Sequence, residues 1–305
     1  MTDDQIILDE LKKFGESPDR KWMIKGENYY RVENDINKRT MLKNIGAGTY
    51  VPDESKANNK LNHAFMKNQV DEKISYLLSQ DATLKCKDDA YTGHVKDALG
   101  RKFGYLLSGL GYEASNKGIA WLQPYIDKNG KFKMTIIPAE QCIPIWTDNE
   151  HTDLDFMIRS YVQEGFEGQK PVEITKVQYW GPEGVQYFEI YEDDKKKKRL
   201  RPDIDKLFRL GYKDKDIPEW IPHYKKGDEG KSWGRVPFVC WKNNRIEFPD
   251  LRFVKTLVDN YDNSRSDISN FLEEVKNMIY VLKNYGGQDL GEFMSELNYL
   301  SLIHI

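Results

Sequence analysis

Five histidines (His63, His94, His151, His223, His304) and three cysteines (Cys86, Cys142, Cys240) are the side chains best able to ligate a metal or attack a substrate. Their spacing suits neither task. There is no HxxxH and no CxxC, so the histidines read as surface or hydrogen-bonded residues. The cysteines read as reduced thiols of a cytosolic setting. Gly109-x-Gly111 lies between a helical and a strand-like pattern, the wrong order for a dinucleotide loop, and no GKS, GKT or GxSxG occurs. The pairs Asp88-Asp89 and Glu273-Glu274 read as solvated acids. No catalytic residue, metal or cofactor is assigned. One cationic feature remains, Lys195 to Arg199 followed by Arg201, which suits either phosphate contact or a solvated hairpin tip. Asp193-Asp194 before it and strand-like flanks favour the tip.

With 305 residues the chain has room for two domains or one elongated one. Lys plus Arg number 46 and Asp plus Glu 49, for a net charge of -3, where a dedicated binder of DNA phosphates would be basic. Hydrophobic content of 39% beside 31% charged suits a large polar or inter-subunit surface, and 12% aromatic residues argue against disorder. The acidic start MTDDQIILDELKKFG has no signal-peptide character, and no run of apolar residues is long enough to span a membrane.

The elements expected to place these residues are helical first and β-rich later. A short helix over 3–14 carries Ile6, Leu8 and Leu11 as its stripe. A second runs from Asn58 to Gln80 with Leu61, Phe65, Ile74 and Leu77, and a third from Asp89 to Leu110 is weakened by Gly100 and Gly104. Alternating segments from about 117 to 200 predict a twisted, largely antiparallel sheet, with Asn129-Gly130 at a tight hairpin. Residues 200–235 read as irregular, and VPFVCW as one more strand.

The most informative stretch has no proline or glycine between Pro249 and Gly286. Leu251, Val258 and Leu272 mark one heptad row; Val254, Tyr261, Ile268 and Val275 mark the other, and Arg265 interrupts the first. Charges stand around most of the circumference, from Asp250, Arg252 and Lys255 to Glu273, Glu274 and Lys276. Such a helix covers little core alone. A helix on its own domain and a seam completed by neighbouring copies both stand, with the second favoured. Met278–Leu282 is expected to leave the helix as a short strand, Tyr285-Gly-Gly287 to turn, and 289–299 to form a short helix.

Several fragments together resemble the portal proteins of tailed double-stranded DNA bacteriophages, above all the large portal family of long-tailed phages of Gram-positive hosts. They are VPFV and KNN (Val236–Val239, Lys242–Asn244), Asp250-Leu251, LVDNYD (Leu257–Asp262), SDISN (Ser266–Asn270) and YVLKNYGG (Tyr280–Gly287). Upstream, NNKLNHAFMKNQVDEKISYLL (Asn58–Leu78) is similar to the family's N-terminal helix. The resemblance covers roughly 25–299. It implies an α+β, portal-like fold: a wing over 1–245 (helical 1–115, β-rich 116–245), a first stem helix over 250–276 and part of a clip over 278–299. It further implies a virion protein at the capsid portal vertex, assembled in the host cytoplasm as a ring of about twelve copies. Terminase, scaffold and capsid proteins and a head-tail adaptor would be its partners. Double-stranded DNA would pass through without sequence specificity during packaging and ejection. The protein would be no enzyme and would have no cofactor. On that reading Leu251, Val254, Val258, Tyr261, Ile268, Leu272 and Val275 form the stem seam, and Asp259, Asp262 and Asp267 are candidate channel acids that repel phosphate. The alternatives are a phage nucleic-acid-processing enzyme and a head-tail adaptor.

Family members run on through a second stem helix, a tunnel loop and a crown. Leu300-Ser-Leu-Ile-His-Ile305 can be encoded by CTG TCT CTT ATA CAC ATC, which resembles a transposon-end sequencing adapter. The expectation is therefore that 300–305 is a non-native tail read from adapter. Amplifying the locus from source DNA checks this: continued portal-like coding sequence is expected, and a genomic stop codon directly after Ile305 would contradict it.

Overall fold

The structure, a computed structural model, describes residues 3–167, 170–213, 217–284 and 291. It is mixed α+β with antiparallel sheets. Ser17 separates the first two helices, α1 (Asp3–Glu16) and α2 (Pro18–Tyr30). Its hydroxyl donates to the Phe14 carbonyl at 2.8 Å and accepts from the Arg20 amide at 3.2 Å, closing one helix and capping the next, with Pro18 at the first helical position. A hairpin of β1 (Leu42–Asn44) and β2 (Tyr50–Pro52) follows, then α3 (Phe65–Leu78), α4 (Asp89–Leu99) and α5 (Phe103–Lys117). The single long helix expected over 89–110 is broken because Gly100 takes a positive φ of 73° and ends α4.

The strands then run β3 (Ile119–Ile126), β4 (Phe132–Ile137), β5 (Cys142–Trp146), β6 (Leu154–Glu167), β7 (Lys170–Trp180), β8 (Val185–Glu192) and β9 (Lys198–Pro202). After α6 (Ile204–Arg209) come the small hairpin β10 (Tyr224–Lys226) and β11 (Glu229–Lys231), then β12 (Val239–Lys242) and the long helix α7 (Leu251–Asn284). In place of one sheet there are two, ordered β12-β3-β4 and β5-β6-β7-β8-β9, all antiparallel. The β3–β4 hairpin turns where the Asn-Gly pair predicts. Gly130 has φ of 73°, and the Asp127 carboxylate accepts from the Asn129 and Lys131 amides at 2.9 Å.

The chain divides into two compact units, Met1–Glu27 with Val70–Asp250, and Asn28–Gln69 with Leu251–Ile305. In the first, Trp121 on β3 is fully buried among Met23, Ile137, Met157, Val236 and Phe238. A neighbouring cluster joins Ile7 of α1 to Ile143, Ile158 and Val177 of the larger sheet. The α1 stripe is thus Ile7, Leu11 and Phe14. Ile6 faces solvent, one position off the expected stripe, because the sheet and not the helix alone decides which side is covered.

In the second unit the helix expected from Asn58 begins only at Phe65, and 58–64 is non-helical. Met278–Leu282 continues α7, with no proline or glycine there to interrupt its ladder. The expected turn at 285–287 and short helix over 289–299 fall, apart from residue 291, outside the described residues.

Gly26 in α2 tests the packing of the first unit. In an exposed helix Gly→Ala gains about 1 kcal/mol. Here a Cβ would lie 1.8 Å from the Asn116 carbonyl oxygen, a backbone atom with little freedom to move. Gly26→Ala is expected to lower the thermal unfolding midpoint, overpacking by about 1–3 kcal/mol outweighing the propensity gain; a raised midpoint in calorimetry would contradict it.

Candidate functional site

α7 inverts the usual order of an amphipathic helix. One side carries Leu251, Lys255, Val258, Asp262, Ser266 and Asn270, each three or four residues after the last and so on one face. Leu251 and Val258 on this face are buried, and so are its polar members: Asp262 and Ser266 are 0% exposed and Asn270 4%. The opposite arc carries Phe253, Leu257, Tyr261, Ile268, Phe271 and Leu272, all exposed, Leu257 to 71% and Phe271 to 64%. Beyond Val258 the covered face is polar, while the apolar residues of the opposite arc face out.

The inward face is polar because the segment 28–69 lies on it and offers polar atoms. The Ser266 hydroxyl accepts from the Leu61 amide at 3.0 Å, and the Asn270 side-chain oxygen from the Asn59 amide at 2.7 Å. Asp262 accepts from the Asn34 amide nitrogen at 2.6 Å and meets His63 Nδ1 at 2.8 Å. Residues 63, 61 and 59 therefore meet 262, 266 and 270. Two residues of near-extended chain advance about 6.6 Å and four helical residues about 6.0 Å, so a non-helical segment running antiparallel to a helix can stay in step with it at this two-to-four register. That match accounts for the non-helical path here: the Asn59 and Leu61 amides are satisfied by helix side chains instead of by a helical ladder of their own.

Ionic contacts continue the attachment along α7. Lys255 pairs with Asp35 at 2.7 Å and also with Asp259, which accepts from the Tyr29 hydroxyl. Burial alone would lower the Lys255 ammonium, but bonds to Asp259 and Asp35 outweigh it and hold its pKa above the ordinary value. Burial and the bond to Asp259 push the Tyr29 phenol up as well. Farther along, Arg39 pairs with Asp267, and the Asn59 side chain donates to Glu273 at 2.8 Å. His63 stacks on Phe65, and Tyr261 meets both edge-on.

The expected seam divides between the two faces. Leu251 and Val258 are buried, Val254 and Val275 half-buried, and Tyr261, Ile268 and Leu272 open. Phe253, Leu257 and Phe271 belong to the same open arc but fall outside the heptad count. A straight helix drifts about 20° per heptad from a strict seven-residue repeat. The row that starts at buried Leu251 consequently walks round to exposed Leu272, and counting at 3.6 residues per turn recovers the arc. Among the candidate acids, Asp262 is buried and its carboxylate is shared by Asn34 and His63. Asp259 is shared by Tyr29 and Lys255, and Asp267 is paired with Arg39.

The lysine run is a hairpin tip between β8 and β9. The Asp193 carboxylate accepts from the Lys195 and Lys197 amides at 2.9 Å and from Arg199 Nε at 3.2 Å, while Lys196 takes φ of 57°. His151 stacks on Trp146 and meets Glu247 at 2.9 Å; His223 stacks on Trp180, and burial lowers its pKa. Burial raises the Cys142 thiol and pushes Cys240 up to about 12, leaving both poor nucleophiles at neutral pH. Among the described residues no group of His, Cys, Asp and Glu is placed to hold a metal, and no helix is long and apolar enough to cross a membrane.

The family described as phage portal protein, SPP1 Gp6-like, matches residues 11–302. The portal protein of Bacillus phage SPP1 is 33% identical over 284 residues, 93% of this chain and 53% of the relative. The portal protein of Clostridium phage phiCD119 is 31% identical over 291 residues, 91% of this chain and 58% of the relative. The chain thus spans about half the length of the curated relatives it matches.

The hydrogen-bond row has a local readout. Ser266→Ala removes the acceptor of the Leu61 amide and should destabilise that contact by about 1–3 kcal/mol. Amide hydrogen exchange is expected to accelerate at Leu61 while Trp121 in the other unit is unchanged; unchanged protection at Leu61 would refute the row.

Proposed function

Because the chain belongs to the SPP1 Gp6-like family of phage portal proteins, we propose that it is a subunit of a ring-shaped channel at one capsid vertex. Through that channel the genome is packaged and ejected, and the tail is attached at the same vertex. The observation that carries this reading is the open apolar arc of α7. Full burial of a Leu, Ile or Phe side chain is worth about 1.5–3 kcal/mol, and the arc holds Phe253, Leu257, Ile268, Phe271 and Leu272 in one strip. A helix whose inward face is largely taken up by polar contacts keeps its apolar capacity for another surface, and identical neighbours around a closed ring would supply one at every subunit.

The number of copies, about twelve by family resemblance, belongs to this proposal. So do contacts with terminase, scaffold and capsid proteins and a head-tail adaptor, and residence in the virion after assembly in the host cytoplasm. DNA would be guided without sequence-specific contacts, in keeping with a net charge of -3. Asp259, Asp262 and Asp267 are the candidate channel acids of this proposal, each acting together with its bonded partners and not as a bare charge. The reading is of a structural, non-catalytic subunit.

The two seam residues Val258 and Ile268 separate folding from assembly. Val258 is 5% exposed and Ile268 51% exposed. Ile268→Asp is expected to leave the circular dichroism spectrum unchanged while shifting the protein from rings to monomers in native mass spectrometry and negative-stain images. Val258→Asp should instead lower the folded fraction, because a charge on the buried face costs several kcal/mol. Rings of normal yield from Ile268→Asp would contradict the assembly face. Magnesium-dependent nuclease or ATPase activity in the purified protein would favour the enzyme alternative.

A further inference from the structure

A groove of about 700 Å³ in the first unit, between α4, the start of α5 and the β3–β4 hairpin, has a strongly cationic lining. Arg101, Lys102, Lys131 and Lys133 line it, against a single acidic residue, Asp97. The sequence places these cations by two breaks. Gly100 ends α4 and the chain restarts as α5 with Lys102 at its N-cap, so Arg101 and Lys102 stand at the positive end of a 15-residue helix. Across the groove, the Asn129-Gly130 turn brings Lys131 and, two residues on, Lys133. Four cations converge here in a chain whose net charge is -3.

The groove also holds an aromatic ring that is open among the described residues. Tyr105, in the first turn of α5, lines the groove and is 83% exposed. Phe132 from β4 lines it too. Cations that can track phosphates, beside an open aromatic face, are the two components of recognition of unpaired nucleic acid. An acidic peptide would use the cations and leave Tyr105 idle. A duplex keeps its bases stacked on one another and likewise has no use for an open ring.

We propose that this groove binds single-stranded nucleic acid, with the phosphodiester chain on Arg101, Lys102, Lys131 and Lys133 and an unpaired base stacked on Tyr105. The residues of this site lie outside α7, so its test does not use the residues that carry the proposed assembly face.

Fluorescence anisotropy with a short fluorescein-labelled oligothymidylate, its duplex with oligoadenylate, and poly-glutamate tests the assignment on the full chain. Saturable binding of the single strand at low salt is expected, tighter than the duplex or poly-glutamate. Tyr105→Ala should weaken it about five- to a hundredfold and Tyr105→Phe should retain it. With so exposed a side chain, neither change threatens folding. Lys131→Glu with Lys133→Glu should flatten the log–log salt slope by about 1.4, two phosphate contacts at roughly 0.7 each. Absence of saturable single-strand binding, an unchanged affinity in Tyr105→Ala, or equal affinity for duplex or poly-glutamate would each overturn the proposal.

Discussion

The hydrogen-bonded row of Asp262, Ser266 and Asn270 is the constraint on which the helical unit depends. A surface helix ordinarily turns its apolar stripe to the protein and its polar residues to water. This row reverses the assignment, because donors on the segment 28–69 are matched by acceptors on α7. Each such bond contributes little net stability, whereas leaving one partner bare costs more. The row therefore acts chiefly as a specification of register. It fixes which face of α7 is inward and where along the helix the segment sits.

The outward apolar arc follows from that specification. With the inward face taken by polar and ionic contacts, Leu257, Ile268 and Phe271 have no place to go within the described residues and remain open. Burial of this strip by a neighbour would be favourable without competing with the intramolecular contacts, since the two faces use different side chains. Folding of the unit and its proposed association would thus be separable. That separation is the physical core of the proposed assembly.

The β-rich unit is held by more ordinary means. Trp121, Met157 and the alternating residues of two antiparallel sheets form its apolar interior. Its buried charges are compensated locally. Lys176 bonds Glu189 and Asp203, and Lys117 bonds Glu113 and Glu140. The ammonium of Lys176 is lowered by burial but raised further by these bonds, so it stays charged, and Glu189 stays ionised because Lys176 and Arg201 offset its own desolvation. Removing one member of such a set would strand the others in a poorly solvated place.

Much of this was legible in the residues. Alternation over 117–200 implied the antiparallel strands, Asn129-Gly130 the hairpin, Asp193 the character of the lysine run, and the proline- and glycine-free stretch a long helix. These are local signals: turn chemistry and short periodicities depend on neighbours in the chain. The membership of α7's faces was not legible, since a seven-residue count drifts against a 3.6-residue helix and assigned Leu251 and Leu272 to one row. Nor was the extended path of 58–64, whose asparagines read as helix caps until Ser266 and Asn270, more than two hundred residues away, take up its amides. By itself the sequence determined which elements exist and which family motifs they carry. Only the tertiary structure decided which side of each element is buried, because burial is set by the hydrogen-bonding and apolar partners that distant parts of the chain bring to it.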